Sequence, residues 1–185
     1  KQNAYIDADN PIKVEVITQK ELTKAACCDL TGCFETQISV EPKTTNLVTQ
    51  TKELSVLGMS GVYNHILLDG MPLITGANYT YGVSAIPGTL IKNITISQGQ
   101  TSVIQGPESL TSQINILLKE KQEERIFLNL YMNSFLSKQV NLDYNFNLGK
   151  WKIISSIHST QPGSKVDKND DGFLDIPQTT KYSFY

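Results

Sequence analysis

The pattern of hydrophobic and polar positions divides the chain near residue 123. Before it, apolar residues come in short runs bounded by glycine. After it, they alternate with polar ones. The densest part of the first half is residues 53–73, ELSVLGMSGVYNHILLDGMPL. Leu54, Val56 and Leu57 form one run; Val62, Ile66, Leu67 and Leu68 form the next. Runs this short predict core strands rather than helices. Asp69-Gly70 predicts a hairpin turn between strands, because glycine supplies the positive φ the turn needs. Pro72 fixes φ as the chain leaves that turn.

The flanking segments follow the same logic. Residues 11–18 set Ile12, Val14 and Val16 against Lys13 and Glu15, a half-buried strand. Thr18, with Glu21 three residues on, makes a capping box and predicts a helix running to about Cys28. Asp29 suits the cap of a second short turn, weakened by Gly32. Residues 38–40 predict a short strand stopped by Pro42, with a loop or strand lead-in over 43–52. Residues 74–85 read as a loop. Its Tyr79 and Tyr81 either face a ligand or pack the loop onto its own domain. Pro87 opens a short helix. Strands follow at 93–97 and 112–118, with Gly99 and Gly106 at the turns between.

Beyond residue 123 the alternation is strict. Ile126, Leu128, Leu130 and Met132 oppose Arg125, Phe127, Asn129, Tyr131 and Asn133. Val140, Leu142, Tyr144, Phe146 and Leu148 oppose Gln139, Asn141, Asp143, Asn145 and Asn147. Trp151, Ile153, Ser155 and Ile157 oppose Lys152, Ile154, Ser156 and His158. Strands of about ten residues with one apolar and one hydrophilic face fit a transmembrane barrel. They also fit a soluble antiparallel sheet packed on one face. Trp151 and Tyr144 suit an interfacial aromatic girdle. Residues 148–150 predict a tight turn, 161–179 a long acidic loop, and 181–185 the start of another strand.

Composition narrows the classes. The chain has 185 residues and a net charge of −2, too near neutral to point to nucleic acid. No run approaches the roughly 20 apolar residues of a membrane helix, and barrel strands would not contain one. Residues 1–10 are polar and hold no signal-peptide core, so the sequence reads as a processed chain or an internal fragment. Cys27, Cys28 and Cys33 cluster without a further cysteine or nearby histidine to complete a zinc site. They read either as buried thiols or as a Cys28–Cys33 disulfide formed in an oxidising compartment.

Candidate chemistry is sparse. Asp167, Asn169, Asp171 and Asp175, with Gly172 after the third, resemble the first half of a calcium loop. The twelfth position is Gln178 rather than a bidentate glutamate, so the alternative is a solvated acidic turn. No catalytic constellation stands out. His65 and His158 sit apart in strand-like stretches, and Ser60 lacks the spacing of a hydrolase elbow. The expectation is a protein that is not an enzyme.

The ordered set of motifs resembles the plug domain of TonB-dependent outer-membrane receptors. It consists of Leu67-Leu68-Asp69-Gly70-Met71-Pro72, then Ile91, Ile94, Ile96, Gly99, Ser102, Gly106 and Ile114-Asn115-Ile116. Residues 25–30 with 34–36, and residues 57–63, look like a subgroup from Bacteroidetes-type bacteria. The subgroup usually carries an acidic residue and a glycine where this chain has Asn46 and Gln50. The resemblance spans about residues 11 to 177. It implies an α+β plug over 11–120 after a linker at 1–10. Antiparallel strands of a truncated transmembrane β-barrel follow over 121–185.

It further implies uptake of a scarce ligand such as a metal chelate, siderophore or cobalamin. The implied partners are a TonB-type inner-membrane energy transducer, outer-membrane lipid and a small extracellular ligand. The implied place is the bacterial outer membrane, with the plug facing the periplasm inside the barrel. Tyr79 and Tyr81 would lie on an apical plug loop. The segment that the transducer pulls would lie upstream of Pro11. A barrel that encloses a plug needs about 22 strands, so this would be the front of a longer protein. The alternative is a secreted, soluble, calcium-dependent β-rich binding or adhesion module. Several hundred more residues of alternating strands beyond Tyr185 would decide for the receptor.

Overall fold

The computed structural model describes residues 4–7, 13–24, 29–74, 82–83, 85–99, 112–120 and 124–185. They fall into two compact units. The first is Lys1–Lys43 with Lys52–Glu120; the second is Thr44–Thr51 with Lys121–Tyr185.

The first unit is built on a six-stranded sheet of order β1-β2-β7-β8-β5-β6. Its strands are β1 (Ala4–Asp7), β2 (Val14–Thr18), β5 (Asn64–Leu68), β6 (Met71–Ile74), β7 (Ile91–Gln98) and β8 (Ser112–Leu118). All neighbours run antiparallel except β5 and β8, which pair in parallel from Asn64↔Ser112 to Leu68↔Ile116. One face of the sheet carries Ile17, Ile66, Ile94, Ile96, Ile114 and Ile116 into a core completed by Leu30, Phe34, Val40 and Leu54. β-branched side chains dominate because they fit the pleated, buried surface. Helix α1 (Gln19–Lys24) follows β2 where the capping box predicts a helix start, and Leu22 joins the core. Asp29 does cap the next turn: its Oδ1 accepts from Gly32 N and Thr31 Oγ1, both at 2.8 Å.

The glycine turn at 69–70 forms as expected, with φ of 50° at Asp69 and 79° at Gly70. It is also fastened to a distant strand. Asp69 N donates to Ile116 O at 2.9 Å, Leu118 N donates to Asp69 Oδ1 at 2.9 Å, and Gly70 N donates to Asn115 Oδ1 at 3.1 Å.

Several boundaries differ from the sequence reading. Leu57 is not core. It lies 65% exposed in a turn with Gly58, both at positive φ, that joins Val56 to Met59. Val62 is exposed in a 3-10 turn, Gly61–Tyr63, so the second strand begins at Asn64. Pro42 does not stop a strand. It lies inside β3 (Val40–Asn46), which among the described residues pairs with β4 (Thr51–Val56) alone. A two-stranded sheet has a free side on each strand, where a missing N–H breaks no ladder bond. The short helix after Pro87 is a single 3-10 turn, Gly88–Leu90, and β7 starts directly after it.

The second unit is a four-stranded antiparallel sheet of order β12-β11-β10-β9. Its strands are β9 (Ile126–Met132), β10 (Lys138–Leu148), β11 (Trp151–Gln161) and β12 (Lys181–Phe184). Its burial is the reverse of a soluble sheet. Leu128, Leu130, Met132, Leu148, Trp151 and Phe184 are exposed, Trp151 by 74%. Asn141, Asp143, Ser156 and His158 are buried. A soluble sheet packed on one face would hide the first set and expose the second.

Candidate functional site

Three polar assemblies are candidates for function. The first is the acidic turn. Asp167, Asn169, Asp171 and Asp175 come together, but their oxygens turn onto their own loop. Asp167 Oδ2 accepts from Gly172 N at 3.1 Å, Asp171 Oδ1 from Phe173 N at 2.8 Å, and Asp175 Oδ2 from Lys168 N at 2.9 Å. Asn169 Nδ2 donates to Asp171 Oδ2 at 2.8 Å. Among the described residues no group of three or more His, Cys, Asp or Glu side chains is arranged to hold a metal ion. Asp167 Oδ1 is buried there without a hydrogen-bond partner, whereas the bonded oxygens would have to give up backbone N–H groups to reach an ion.

The second is a cleft of about 390 Å³ in the first unit. It is lined by Lys13 and Glu15 at the start of β2, Gln98 of β7, Ile38, Ser39 and Glu41 around the start of β3, and Ser55, Leu57 and Gly58 around the end of β4. Lys13 and Glu15 fall on one face because strand side chains repeat every two residues. Ser39 Oγ is buried at the cleft with no hydrogen-bond partner. Ser55 Oγ is occupied, donating to Met59 O at 2.8 Å. Ile38 and Leu57 stand exposed on the rim. Leu57 holds a φ of 54°, a conformation costly for a branched side chain. An apolar rim over a few polar groups, beside a strained residue, is how ligand sites are commonly built. Sequence reasoning missed this site. Its lining comes from four separate strands, and only the Leu57-Gly58 turn left a local trace.

The third is the buried polar row on the second sheet. Register places Asn141 opposite His158 and Asp143 opposite Ser156. Ser156 Oγ donates to Asp143 Oδ1 at 2.5 Å, His158 Nδ1 bonds Asn141 Oδ1, and His158 Nε2 lies 3.2 Å from Thr160 Oγ1. Bonded to one another, these groups can be withdrawn from bulk water without the penalty of unpaired burial.

Tyr79 and Tyr81 lie outside the described residues, as do Cys27 and Cys28. Cys33 is buried, and its Sγ donates to Asp29 O at 3.4 Å. His65 is buried in β5 and His158 in β11, in separate units.

Comparison with known proteins follows from this geometry. The TonB-dependent Receptor Plug Domain family matches residues 7–111. No curated protein matches. Among solved structures, the ferric yersiniabactin uptake receptor FyuA of Yersinia pestis aligns with a TM-score of 0.69 at 13% identity, over 97% of this chain and 28% of its own. The copper transporter OprC aligns at 0.66 and 14% identity, over 96% and 28%. The alcaligin outer-membrane receptor FauA of Bordetella pertussis aligns at 0.61 and 16%, over 84% and 27%. The chain therefore spans little more than a quarter of the length of the receptors it resembles.

Proposed function

Because the chain belongs to the TonB-dependent receptor plug family, we propose that it is the plug and first barrel strands of an outer-membrane uptake receptor. The observation that carries this reading is the reversed burial of the second sheet. An apolar face of exposed Leu128, Leu130 and Trp151 beside a buried row of Asn141, Asp143 and His158 suits strands with lipid on one side. The same exposed face counts against a soluble secreted module, which would leave it in water.

In this reading the first unit is the receptor's plug. Residues 162–180 form a loop outside the cell, and the tight turn at 149–150 faces the periplasm. The cleft beside Leu57 and Ser39 is the ligand-facing surface of the plug. Similar structures take up ferric siderophores or copper, so the ligand class is a scarce metal chelate, with cobalamin as the further member. Energy comes from a TonB-type inner-membrane partner acting on a segment before the plug. No enzymatic step is assigned to the chain. The acidic turn is a weak calcium site, loaded only at the millimolar calcium of the exterior.

The test is uptake by cells expressing the full receptor. Expected is outer-membrane fractionation with TonB-dependent accumulation of one labelled ferric siderophore, copper chelate or cobalamin. Recovery of the protein from the culture supernatant, with no uptake defect on gene deletion, would refute the proposal and favour the module.

A further inference from the structure

The cleft beside Leu57 and Ser39 lies wholly within the first unit, and its walls are set before anything enters it. Gln98 N donates to Lys13 O at 3.0 Å, tying β7 to the lead-in of β2. The Leu57-Gly58 turn is pinned from both sides. Met59 N donates to Val56 O at 3.0 Å, and Ser55 Oγ donates to Met59 O at 2.8 Å. Glu53 Oε2 accepts from Ser60 Oγ at 2.9 Å and Gly61 N at 3.2 Å. Leu57 is thus held 65% exposed at a φ of 54°. An exposed leucine in a costly conformation adds little burial to the fold, whereas a rim fixed in advance saves the ordering that a mobile one costs on binding. Ser39 Oγ, buried at the cleft without a hydrogen-bond partner, is a hydroxyl able both to donate and to accept.

The charges narrow what fits. Lys13 and Glu15 share one wall, and Glu41 on the rim pairs with Lys43 at 3.4 Å. Positive and negative groups therefore balance, with no surplus cation to hold an anion. The described residues lining the cleft carry no thiol, imidazole or thioether, the donors that suit copper, and two carboxylates at most would face a bare ion. A metal entering here therefore has its coordination already complete. Iron(III) held by three singly charged hydroxamates is uncharged. Held by three doubly charged catecholates it keeps three negative charges, and stripping water from such an anion beside Glu15 is costly. The volume of about 390 Å³ lies near the lower end of the range for small-molecule sites, which suits a compact chelate partly embraced by the cleft.

We propose that this cleft takes an uncharged, fully coordinated metal chelate of the ferric trihydroxamate class. The apolar skeleton of the chelate lies against Ile38 and Leu57. An outward-facing oxygen accepts from Ser39 Oγ, and Lys13 and Gln98 donate to others. Glu15 is the specificity-determining residue, because its carboxylate turns anionic chelates away. This rests on the receptor reading, in which the cleft faces the ligand.

The experiment uses the full receptor purified in detergent, with calorimetry on two probes: an uncharged cyclic ferric trihydroxamate and a ferric tricatecholate. The wild type should bind the trihydroxamate more tightly by about tenfold or more. Glycine suits the positive φ at position 57, so Leu57→Gly should weaken trihydroxamate binding about tenfold without lowering the melting temperature. Glu15→Gln should tighten the tricatecholate about fivefold and leave the trihydroxamate within about twofold. A merely structural role for Glu15 would move both probes alike. Tighter binding of the tricatecholate by the wild type overturns the proposal. So does trihydroxamate binding indifferent to Leu57→Gly, or binding of neither probe. Cell fractionation with uptake separates this from the receptor reading. Protein in the outer membrane that takes up only an anionic chelate or cobalamin refutes the proposal and leaves the reading standing. Protein in the culture supernatant refutes the reading, and the proposal with it.

Discussion

Replacing Asp69 with alanine should destabilise the first unit by about 2–3 kcal/mol, through two separable causes. The carboxylate accepts the Leu118 N–H at 2.9 Å, across 49 residues of sequence. A hydrogen bond to a charged group contributes about 1.5–3 kcal/mol, and the partly exposed site puts this one at or below the low end. The second cause is backbone. Asp69 holds a φ of 50°, where alanine pays about 1–2 kcal/mol and aspartate less, because its side chain bonds locally. Glycine loses the bond but escapes the backbone cost, so Asp69→Gly should lose about 1–2 kcal/mol, part of it through a freer unfolded chain. Asparagine keeps an acceptor and tolerates the left-handed conformation, so Asp69→Asn should stay within about 0.5 kcal/mol. The assay is urea unfolding of residues 1–120, which carry their own core, followed by far-ultraviolet circular dichroism. With a slope of about 1–3 kcal/mol per molar, the alanine variant should unfold about 1–2 M earlier. An alanine variant that unfolds with wild type would refute the reasoning, as would an asparagine variant that falls as far as alanine.

Three further expectations follow from the same structure. Leu67 is 2% exposed, so Leu67→Asp should unfold the first unit at a cost of several kcal/mol, and an unchanged melting curve would remove Leu67 from the interior. Leu130→Arg places a cation on the apolar face of β9 at about 2–4 kcal/mol if that face meets lipid; it should cut outer-membrane assembly while Leu130→Phe does not, and equal assembly of both would sink the lipid-facing assignment. Calorimetry on the full receptor should detect calcium with a Kd of about 0.1–1 mM, abolished by Asp171→Ala; no heat, or heat unchanged by the substitution, leaves residues 167–175 an ordinary turn.

Much of the first unit was legible because its strands obey local rules. The alternation in residues 112–118 and the Asp69-Gly70 dipeptide both sit where the pattern puts them. The failures have physical causes. Leu57 counts as core by hydrophobicity, yet Gly58 beside it makes a turn that throws Leu57 outward. Pro42 reads as a terminator only if its strand is interior. A two-stranded sheet leaves one side of each strand unpaired, where a proline is tolerated. The cleft was invisible because strand order, not sequence order, brings Lys13, Ser39, Ser55 and Gln98 together. The acidic turn was found by spacing, but spacing says nothing of where oxygens point. Here three of its carboxylates accept backbone N–H groups.

The second unit poses a different limit. Alternation defines two faces but does not say which is hidden, so residues 125–158 fitted a soluble sheet and a barrel equally. What separates the two is the fate of the polar face. If it faced water, each side chain could be solvated alone and register would not matter. Instead the register sets Asn141 against His158 and Asp143 against Ser156, and each pair is joined by a hydrogen bond. Buried polar groups need such partners, and a register slip of one residue would send every one of them to the opposite face. The exposed apolar row imposes no comparable pairing, because lipid accepts any hydrocarbon surface. Specificity in this sheet therefore resides in its hydrophilic side chains, the reverse of the first unit, where Ile66, Ile94 and Ile114 set the core. On this argument Asn141→Leu should disturb the sheet more than Leu130→Val, although the first is the more hydrophobic change. Measured assembly that ranked the two the other way would place the organising face on the apolar side.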